Sequence, residues 1–140
     1  MKIGLIGAGR LGICLALLME RVGYDVIVSD IREVYVSQLN DRRIETNEPY
    51  VEEFLKVAKN FRATTNNKEV IEECDIIFTL VATPSLDDGS YDVSSVWKVI
   101  DDVKQVGGVD GKSFVVGCTT NPGDCKEFQD ALSDFGIDVY

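Results

Sequence analysis

A glycine-rich motif near the start of the chain has the spacing of a binding site. Residues 7–12 read GAGRLG, the pattern G-x-G-x-x-G, and they follow the apolar segment Lys2–Ile6. In this pattern Gly7 permits a tight turn from strand to helix, Gly9 lets a pyrophosphate approach the backbone, and Gly12 lets the helix pack against the strand. The start of that helix offers free N–H groups and the positive end of a dipole to phosphates. The motif therefore predicts a dinucleotide site.

An acidic residue after the next predicted strand fits the same site. Asp30 follows the strand-like segment Asp25–Ser29, and an acid at this distance accepts hydrogen bonds from the adenosine ribose hydroxyls. Its charge would repel a 2′-phosphate, which favours NAD over NADP. Arg32 opposes that preference, because an arginine here can also receive a 2′-phosphate. The alternative is a turn whose glycines serve packing alone, and the strand, helix and acid together disfavour it.

Histidine is absent, and the cysteines are scattered. Without histidine the chain lacks His-based acid–base catalysis, Ser–His and Cys–His pairs, and most types of zinc site. The four cysteines, Cys14, Cys74, Cys118 and Cys125, form no C-x-x-C pair. We interpret them as reduced thiols, with Cys14 in the core and Cys118 and Cys125 structural or on the surface. No metal site is predicted.

The charge balance disfavours anionic partners. Fourteen Lys and Arg stand against twenty-four Asp and Glu, which gives a net charge of −10 and a pI near 4.4. So acidic a surface repels nucleic acid and anionic lipid. No apolar run is long enough to span a bilayer, and the first residues do not resemble a signal peptide. We therefore expect a cytoplasmic protein without nucleic-acid or membrane partners.

Strand-like and helix-like segments alternate along the whole chain. Strands are predicted at residues 2–6, 25–29, 61–63, 75–81, 113–117 and 137–140. Helices are predicted from the glycine motif to Gly23, over 31–40, around 51–58, after the capping pair 66–67, around 96–103, and from Pro122 to Phe135. Such alternation indicates βαβ units and a parallel sheet. We predict one α/β domain over residues 1–140, a doubly wound, mostly parallel Rossmann-type sheet of about six strands.

The first helix is predicted to bury one apolar face. Its members recur at helical spacing and are Leu11, Cys14, Leu15, Leu18 and Val22.

Five further segments resemble the N-terminal NAD-binding domain of the UDP-glucose/GDP-mannose dehydrogenase family. They are residues 30–40, 48–55 (EPYVEEFL, family E-P-G-L-x-E-L), 63–66 (ATTN, family A-T-T-D), 81–94 (VATP with DGSYDVS, family V-P-T-P with D-G…D-L-S) and 118–123 (CTTNPG, family S-T-V-P-P-G). The resemblance runs through all 140 residues. The order and spacing of these segments make it more specific than the glycines alone.

The resemblance implies a role for each candidate residue. Those that would line the pyrophosphate are Gly7, Gly9, Arg10, Leu11 and Gly12. Asp30 would hold the adenosine ribose. Thr83, after the fourth strand, would lie near the cofactor. Thr119, after the fifth, would lie near the nicotinamide and the reacting carbon, as the candidate catalytic residue. Ligands of such sheets bind outside the carboxyl ends of the strands.

The resemblance also implies an activity. Family members oxidise the 6-hydroxymethyl group of a nucleotide sugar to a carboxylate, with two NAD+ and a thioester on a cysteine. We therefore expect an NAD-dependent oxidoreductase of polysaccharide biosynthesis. Its full-length form is expected to be a homodimer. The family's nucleophilic cysteine, its catalytic lysine and asparagine, and its nucleotide-sugar domain are not among these 140 residues. We expect the 140 residues alone to bind NAD without oxidising a sugar.

The chain departs from the family pattern at several positions. Tyr35 stands where a lysine is usual, and Arg32 can replace the charge of that lysine. Ala82 replaces the proline of V-P-T-P, Cys118 replaces the serine before the threonine, and Asn121 replaces the first proline of P-P-G.

Two other functions remain open from the sequence. One is the cofactor domain of another NAD-dependent dehydrogenase, of the 6-phosphogluconate or 3-hydroxyacyl-CoA type, and the T-P…D-G…D segment counts against it. The other is a standalone NAD-binding or sensing module without catalysis. Against that module, residues 137–140 would end the chain as an exposed strand edge.

Overall fold

Six parallel strands form a single sheet in the order β3-β2-β1-β4-β5-β6 in a computed structural model that describes all 140 residues. The strands are β1 (Lys2–Ile6), β2 (Asp25–Ser29), β3 (Phe61–Thr64), β4 (Ile76–Thr79), β5 (Ser113–Val116) and β6 (Asp138–Val139). The helices are α1 (Arg10–Arg21), α2 (Glu33–Asn40), α3 (Val51–Val57), α4 (Asn67–Glu73), α5 (Ser94–Val106) and α6 (Asp124–Leu132). A short 3-10 helix, Ser133–Phe135, precedes β6. The predicted doubly wound Rossmann-type sheet is thus confirmed.

Two apolar layers enclose the sheet. Leu5 in the central strand lies opposite Val28 of β2 and Phe78 of β4, and it points toward a cluster of 16 buried residues beneath α1, α2 and α3. Its neighbour Ile6 points the other way, into a cluster of 15 buried residues beneath α4, α5 and α6. Both faces of the sheet are covered, as parallel sheets require. No helix has both the length and the apolar character needed to cross a membrane.

The face that α1 buries differs from the predicted one. Leu11, Leu18 and Val22 are exposed, and Cys14 and Leu15 are only partly buried. The buried residues of this helix are Gly12, Ile13, Ala16 and Leu17. Gly12 and Ala16 lie one turn apart and lack bulk, so the helix approaches the strands on their side. The prediction was wrong, including the placement of Cys14 in the core, because it followed large apolar residues alone.

Two helices begin two residues later than predicted, each for a local reason. The Asp30 carboxylate accepts a hydrogen bond from the backbone N–H of Arg32, which keeps Arg32 extended, so α2 begins at Glu33. Gly123 has a φ of 102°, a left-handed value that no helical residue adopts, so α6 begins at Asp124 and Pro122 lies outside it. The predicted cap of α4 is confirmed, since the Asn66 side chain accepts from the Lys68 N–H at 3.0 Å.

Lys112 closes the carboxyl end of α4. Its Nζ donates hydrogen bonds of 2.7–2.9 Å to the carbonyls of Ile71, Glu72 and Cys74. An ammonium group at the end of a helix satisfies free carbonyls and complements the dipole.

Replacing Lys112 with methionine should lower the free energy of unfolding by about 1–3 kcal/mol, because three carbonyls lose a charged donor. Lys126→Met is the matched control: Lys126 makes only an exposed pair with Asp130 one turn away, so its loss should cost less than about 0.5 kcal/mol. Urea unfolding of the two variants measures the difference. Equal losses would contradict the capping role of Lys112.

Candidate functional site

An open cleft of about 620 Å³ lies at the carboxyl ends of β1, β4 and β5. Its lining residues are Gly9, Arg10, Leu11, Gly12, Leu80, Val81, Thr83, Val116, Gly117, Cys118 and Thr119. The order of the strands reverses between β1 and β4, and this crevice is where open α/β sheets bind their ligands. The structure therefore brings the glycine loop together with both predicted threonines.

Gly7 and Gly12 are needed for the loop itself. Gly7 has a φ of 101°, and a Cβ on it would lie 2.6 Å from the carbonyl oxygen of Leu80. A Cβ on Gly12 would overlap the carbonyl oxygen of Gly7. Both positions exclude a side chain for reasons of packing, so Gly7 lies behind the cleft and shapes it.

Gly9 has a different environment. A Cβ on Gly9 would meet no atom within 4 Å, although Gly9 lines the cleft. The backbone there has an ordinary extended conformation, with φ −67° and ψ −168°. The packing of the protein therefore does not require a glycine at this position, and the space beside its backbone is available to a ligand.

The first turn of α1 suits a pyrophosphate. Gly9 caps the helix without a side-chain hydrogen bond, and the turn holds no acidic residue. The first N–H groups of a helix lack partners within it and carry partial positive charge. Arg10 adds an exposed guanidinium, 85% accessible, whose Nε lies 3.2 Å from a carboxylate oxygen of Glu48. These residues fit a dinucleotide.

Asp30 lies beside the glycine loop, at the end of β2. Its side chain is only 9% exposed, and one carboxylate oxygen accepts the backbone N–H of Ala8 at 3.2 Å. Burial alone would raise the pKa of Asp30. Hydrogen bonds from Arg32, the charge of that residue and the Ala8 N–H outweigh burial and lower the pKa below its ordinary value. Asp30 is therefore a fixed, ionised acceptor.

Arg32 forms a two-point ion pair with that carboxylate. Its Nε and one terminal nitrogen lie 2.7 and 2.8 Å from the two oxygens of Asp30. The guanidinium also lies over the ring of Tyr35, 4.1 Å from its centroid. Tyr35, which stands where the resembled family has a lysine, thus stabilises the Arg32 guanidinium through a cation–π contact. The ion pair neutralises the charge of Arg32, and it uses part of the hydrogen-bonding capacity of the Asp30 carboxylate.

Thr83 and Thr119 line the cleft from the loops after two adjacent strands. Thr83 follows β4 and is half-buried, whereas Thr119 follows β5 and is exposed. The sequence predicts a strand over residues 75–81, but β4 ends at Thr79. Leu80 and Val81 lie beyond its end and line the cleft. Position at the carboxyl end of a strand is the signal that could have found them.

The buried and partly buried thiols are not activated. Burial raises the pKa of Cys118, which lines the cleft, and that of Cys74 to about 11. Burial likewise raises the pKa of Cys14. Each of these groups is a protonated thiol at neutral pH and a poor nucleophile. No group of three or more His, Cys, Asp or Glu side chains is placed to hold a metal ion.

Comparison with known families identifies the chain. The NAD binding domain of the UDP-glucose/GDP-mannose dehydrogenase family matches residues 1–138. The chain belongs to this family. NAD is accordingly its cofactor, and the family is one of NAD-dependent oxidoreductases. The match decides against the 6-phosphogluconate and 3-hydroxyacyl-CoA dehydrogenase types.

Curated relatives carry names from the same family. The chain is 31% identical to UDP-glucose 6-dehydrogenase of Rickettsia conorii over 140 residues. This alignment covers 98% of the chain and 32% of that protein. It is 35% identical over 98 residues to UDP-glucose 6-dehydrogenase AglM of Haloferax volcanii, covering 69% of the chain and 23% of that protein. The chain thus spans a third or less of the length of these dehydrogenases.

The fold agrees with that of solved family structures. GDP-mannose dehydrogenase from Pseudomonas aeruginosa superposes with a TM-score of 0.87 at 22% identity, over 99% of this chain and 35% of that one. At this identity the likeness shows the Rossmann-type fold alone.

Bound NAD+ should protect Cys118 from alkylation, because this thiol lines the cleft of the dehydrogenase domain. In a Cys125→Ser background, which removes the exposed thiol, saturating NAD+ should slow maleimide labelling of Cys118 about tenfold or more. Mass spectrometry of the peptide that contains Cys118 measures the rate. Buried Cys74 provides the internal control, since its labelling should not respond to NAD+ in the same manner. Equal labelling of Cys118 with and without NAD+ would place the cofactor elsewhere.

Proposed function

We propose that the chain is the cofactor domain of a nucleotide-sugar 6-dehydrogenase, with NAD+ lying across the carboxyl edge of its sheet. The observation that carries the proposal is the empty space beside Gly9, in a cleft that continues to Thr83 and Thr119. A glycine that packing does not require, at the start of an uncapped helix, is what close approach of a pyrophosphate needs.

Each candidate residue then has a task. The N–H groups at the start of α1 bind the pyrophosphate, and Arg10 balances its charge. Asp30 accepts the hydroxyls of the adenosine ribose, beside the neutralising guanidinium of Arg32. Thr83 and Thr119 flank the nicotinamide end, and the Thr119 hydroxyl, which is exposed, is free to face the reacting carbon of the sugar. When bound, NAD+ supplies the hydride acceptor.

The reaction of the whole protein is the second part of the proposal. The names of the relatives favour oxidation of the sugar 6-hydroxyl to a carboxylate, which removes four electrons and therefore consumes two NAD+. The nucleophile and the nucleotide-sugar site would be outside residues 1–140, which form one domain. The full-length enzyme would be a cytoplasmic homodimer that supplies acidic sugars for polysaccharide synthesis.

The experiment is an NAD+ reduction assay of the gene product as its source cell makes it, beside the 140-residue chain. With UDP-glucose or GDP-mannose, the natural product should form two NADH per sugar, and the 140-residue chain should bind NAD+ and form none. A natural product of 15.5 kDa that binds NAD+ without reducing it would instead favour a standalone binding or sensing module.

A further inference from the structure

The loop after β4 folds back on itself as a small hairpin. Ser85 and Tyr91 form an antiparallel bridge. The Asp92 N–H closes its base with a 2.9 Å hydrogen bond to the carbonyl of Pro84. The hairpin starts directly after Thr83, so its orientation determines where Thr83 stands in the cleft.

Asn121 joins this hairpin to the loop after β5. Its Oδ1 accepts the backbone N–H of Tyr91 at 2.8 Å, and its Nδ2 donates to the carbonyl of Tyr91 at 2.9 Å. One side chain thus satisfies both backbone groups of one residue, as a neighbouring strand would. Asp124 fixes the orientation of the amide, because its Oδ2 accepts from the Asn121 N–H at 2.7 Å and from Nδ2 at 2.9 Å.

The bridge connects the loops that follow two adjacent strands, β4 and β5. Thr119 lies two residues before Asn121, and Thr83 directly precedes the hairpin; both threonines line the same cleft. The family pattern has proline at position 121, and proline has no side-chain donor or acceptor. The bridge is therefore a property of this sequence and does not follow from the family resemblance.

We propose that Asn121 is a positioning residue, which holds Thr83 and Thr119 at the separation that the nicotinamide half of NAD+ requires. The inference rests on the proposed placement of the nicotinamide between these threonines. Since the adenosine half lies at Asp30, beside the glycine loop, it does not depend on the bridge. Loss of the bridge should thus affect only ligands that carry a nicotinamide.

The chain offers a matched control at Asn40. Its side chain makes the same pair of bonds to one backbone residue, donating to the carbonyl of Ala63 at 2.9 Å and accepting the Ala63 N–H at 2.8 Å. Asn40 ends α2 and binds to β3, away from the residues that line the cleft. Asn40→Ala removes the same chemistry without touching either threonine.

The test compares NADH with ADP, which lacks the nicotinamide ribose, as ligands of the 140-residue chain. Calorimetric titration should show that Asn121→Ala weakens NADH binding about tenfold and ADP binding less than about twofold. The rise in nicotinamide fluorescence on binding should fall with it. Asn40→Ala should change neither affinity by more than about twofold. If Asn121→Ala does not fold, Asn121→Ser, which keeps the backbone N–H that donates to Asp124 and lacks the amide that bonds to Tyr91, carries the same comparison.

The outcomes distinguish a failure of the role of Asn121 from a failure of the proposed placement of the nicotinamide. Equal changes for NADH and ADP in the folded variant, or no change for either, would overturn the role of Asn121 while wild type still prefers NADH. A wild-type chain that binds NADH no more tightly than ADP would overturn the placement of the nicotinamide, and the inference with it.

Discussion

Replacing Gly9 with valine should greatly weaken NAD+ binding and leave the fold intact. The backbone of Gly9 is in an extended conformation that any residue adopts, and a Cβ there would meet no atom within 4 Å apart from its chain neighbours. The isopropyl group would instead occupy the space proposed for the pyrophosphate. We expect a loss of affinity on the order of 100-fold, equal to about 2.7 kcal/mol. Calorimetric titration with NAD+ measures it, and thermal unfolding should show a midpoint close to that of wild type.

Gly12→Ala is the control within the same motif. A methyl group on Gly12 would overlap the carbonyl oxygen of Gly7, so α1 would have to move from the sheet. Overpacking of this kind costs about 1–3 kcal/mol of stability. The two variants should therefore separate, one losing the cofactor and the other losing stability. If Gly9→Val destabilised the protein as much as Gly12→Ala, the glycine of position 9 would be a packing residue.

Much of the fold could be predicted because local and global signals agree. The alternation of apolar strands with helical spacing predicts six parallel strands, and the predicted and observed bounds of β1 and β2 coincide. The buried face of α1 could not be predicted in this way. Its position depends on the close approach of Gly12 to the Gly7 carbonyl, a contact between groups without side chains that apolar periodicity does not register. Apolar periodicity instead selected Leu18 and Val22, which are exposed.

The site shows the same division. Glycine spacing locates the cleft, because the geometry of the strand-to-helix turn imposes it; the assignment of Asp30, which lies beside the glycine loop and not among the lining residues, stays a prediction. The motif does not specify which side chains around it pair with one another. The ion pair between Asp30 and Arg32, its support on Tyr35, and the bridge from Asn121 to Tyr91 each join residues whose pairing no spacing rule specifies.

Replacing Asp30 with alanine should lower the affinity for NAD+ relative to that for NADP+. In wild type the carboxylate pairs with Arg32 at 2.7 and 2.8 Å, and we propose that it accepts the ribose hydroxyls. Its removal deletes that acceptor and frees a guanidinium, which is 55% exposed, to bind a 2′-phosphate. NAD+ affinity should fall about 10-fold to 100-fold, while NADP+ affinity should fall less or rise. Parallel titrations of both ligands measure the ratio.

Two controls assign that effect to the ion pair. Arg32→Ala should weaken NADP+ binding in the Asp30→Ala background and return the ratio toward that of wild type. The pH dependence has a definite sign: since the pKa of Asp30 lies below its ordinary value, the acceptor stays ionised as the pH falls, and NAD+ binding should weaken only below the usual range of an aspartate. If Asp30→Ala lowered the affinities for NAD+ and NADP+ equally, the assignment of the ribose to Asp30 would be wrong. A carboxylate that only shaped the loop through the Ala8 N–H would support the binding of both ligands to the same extent.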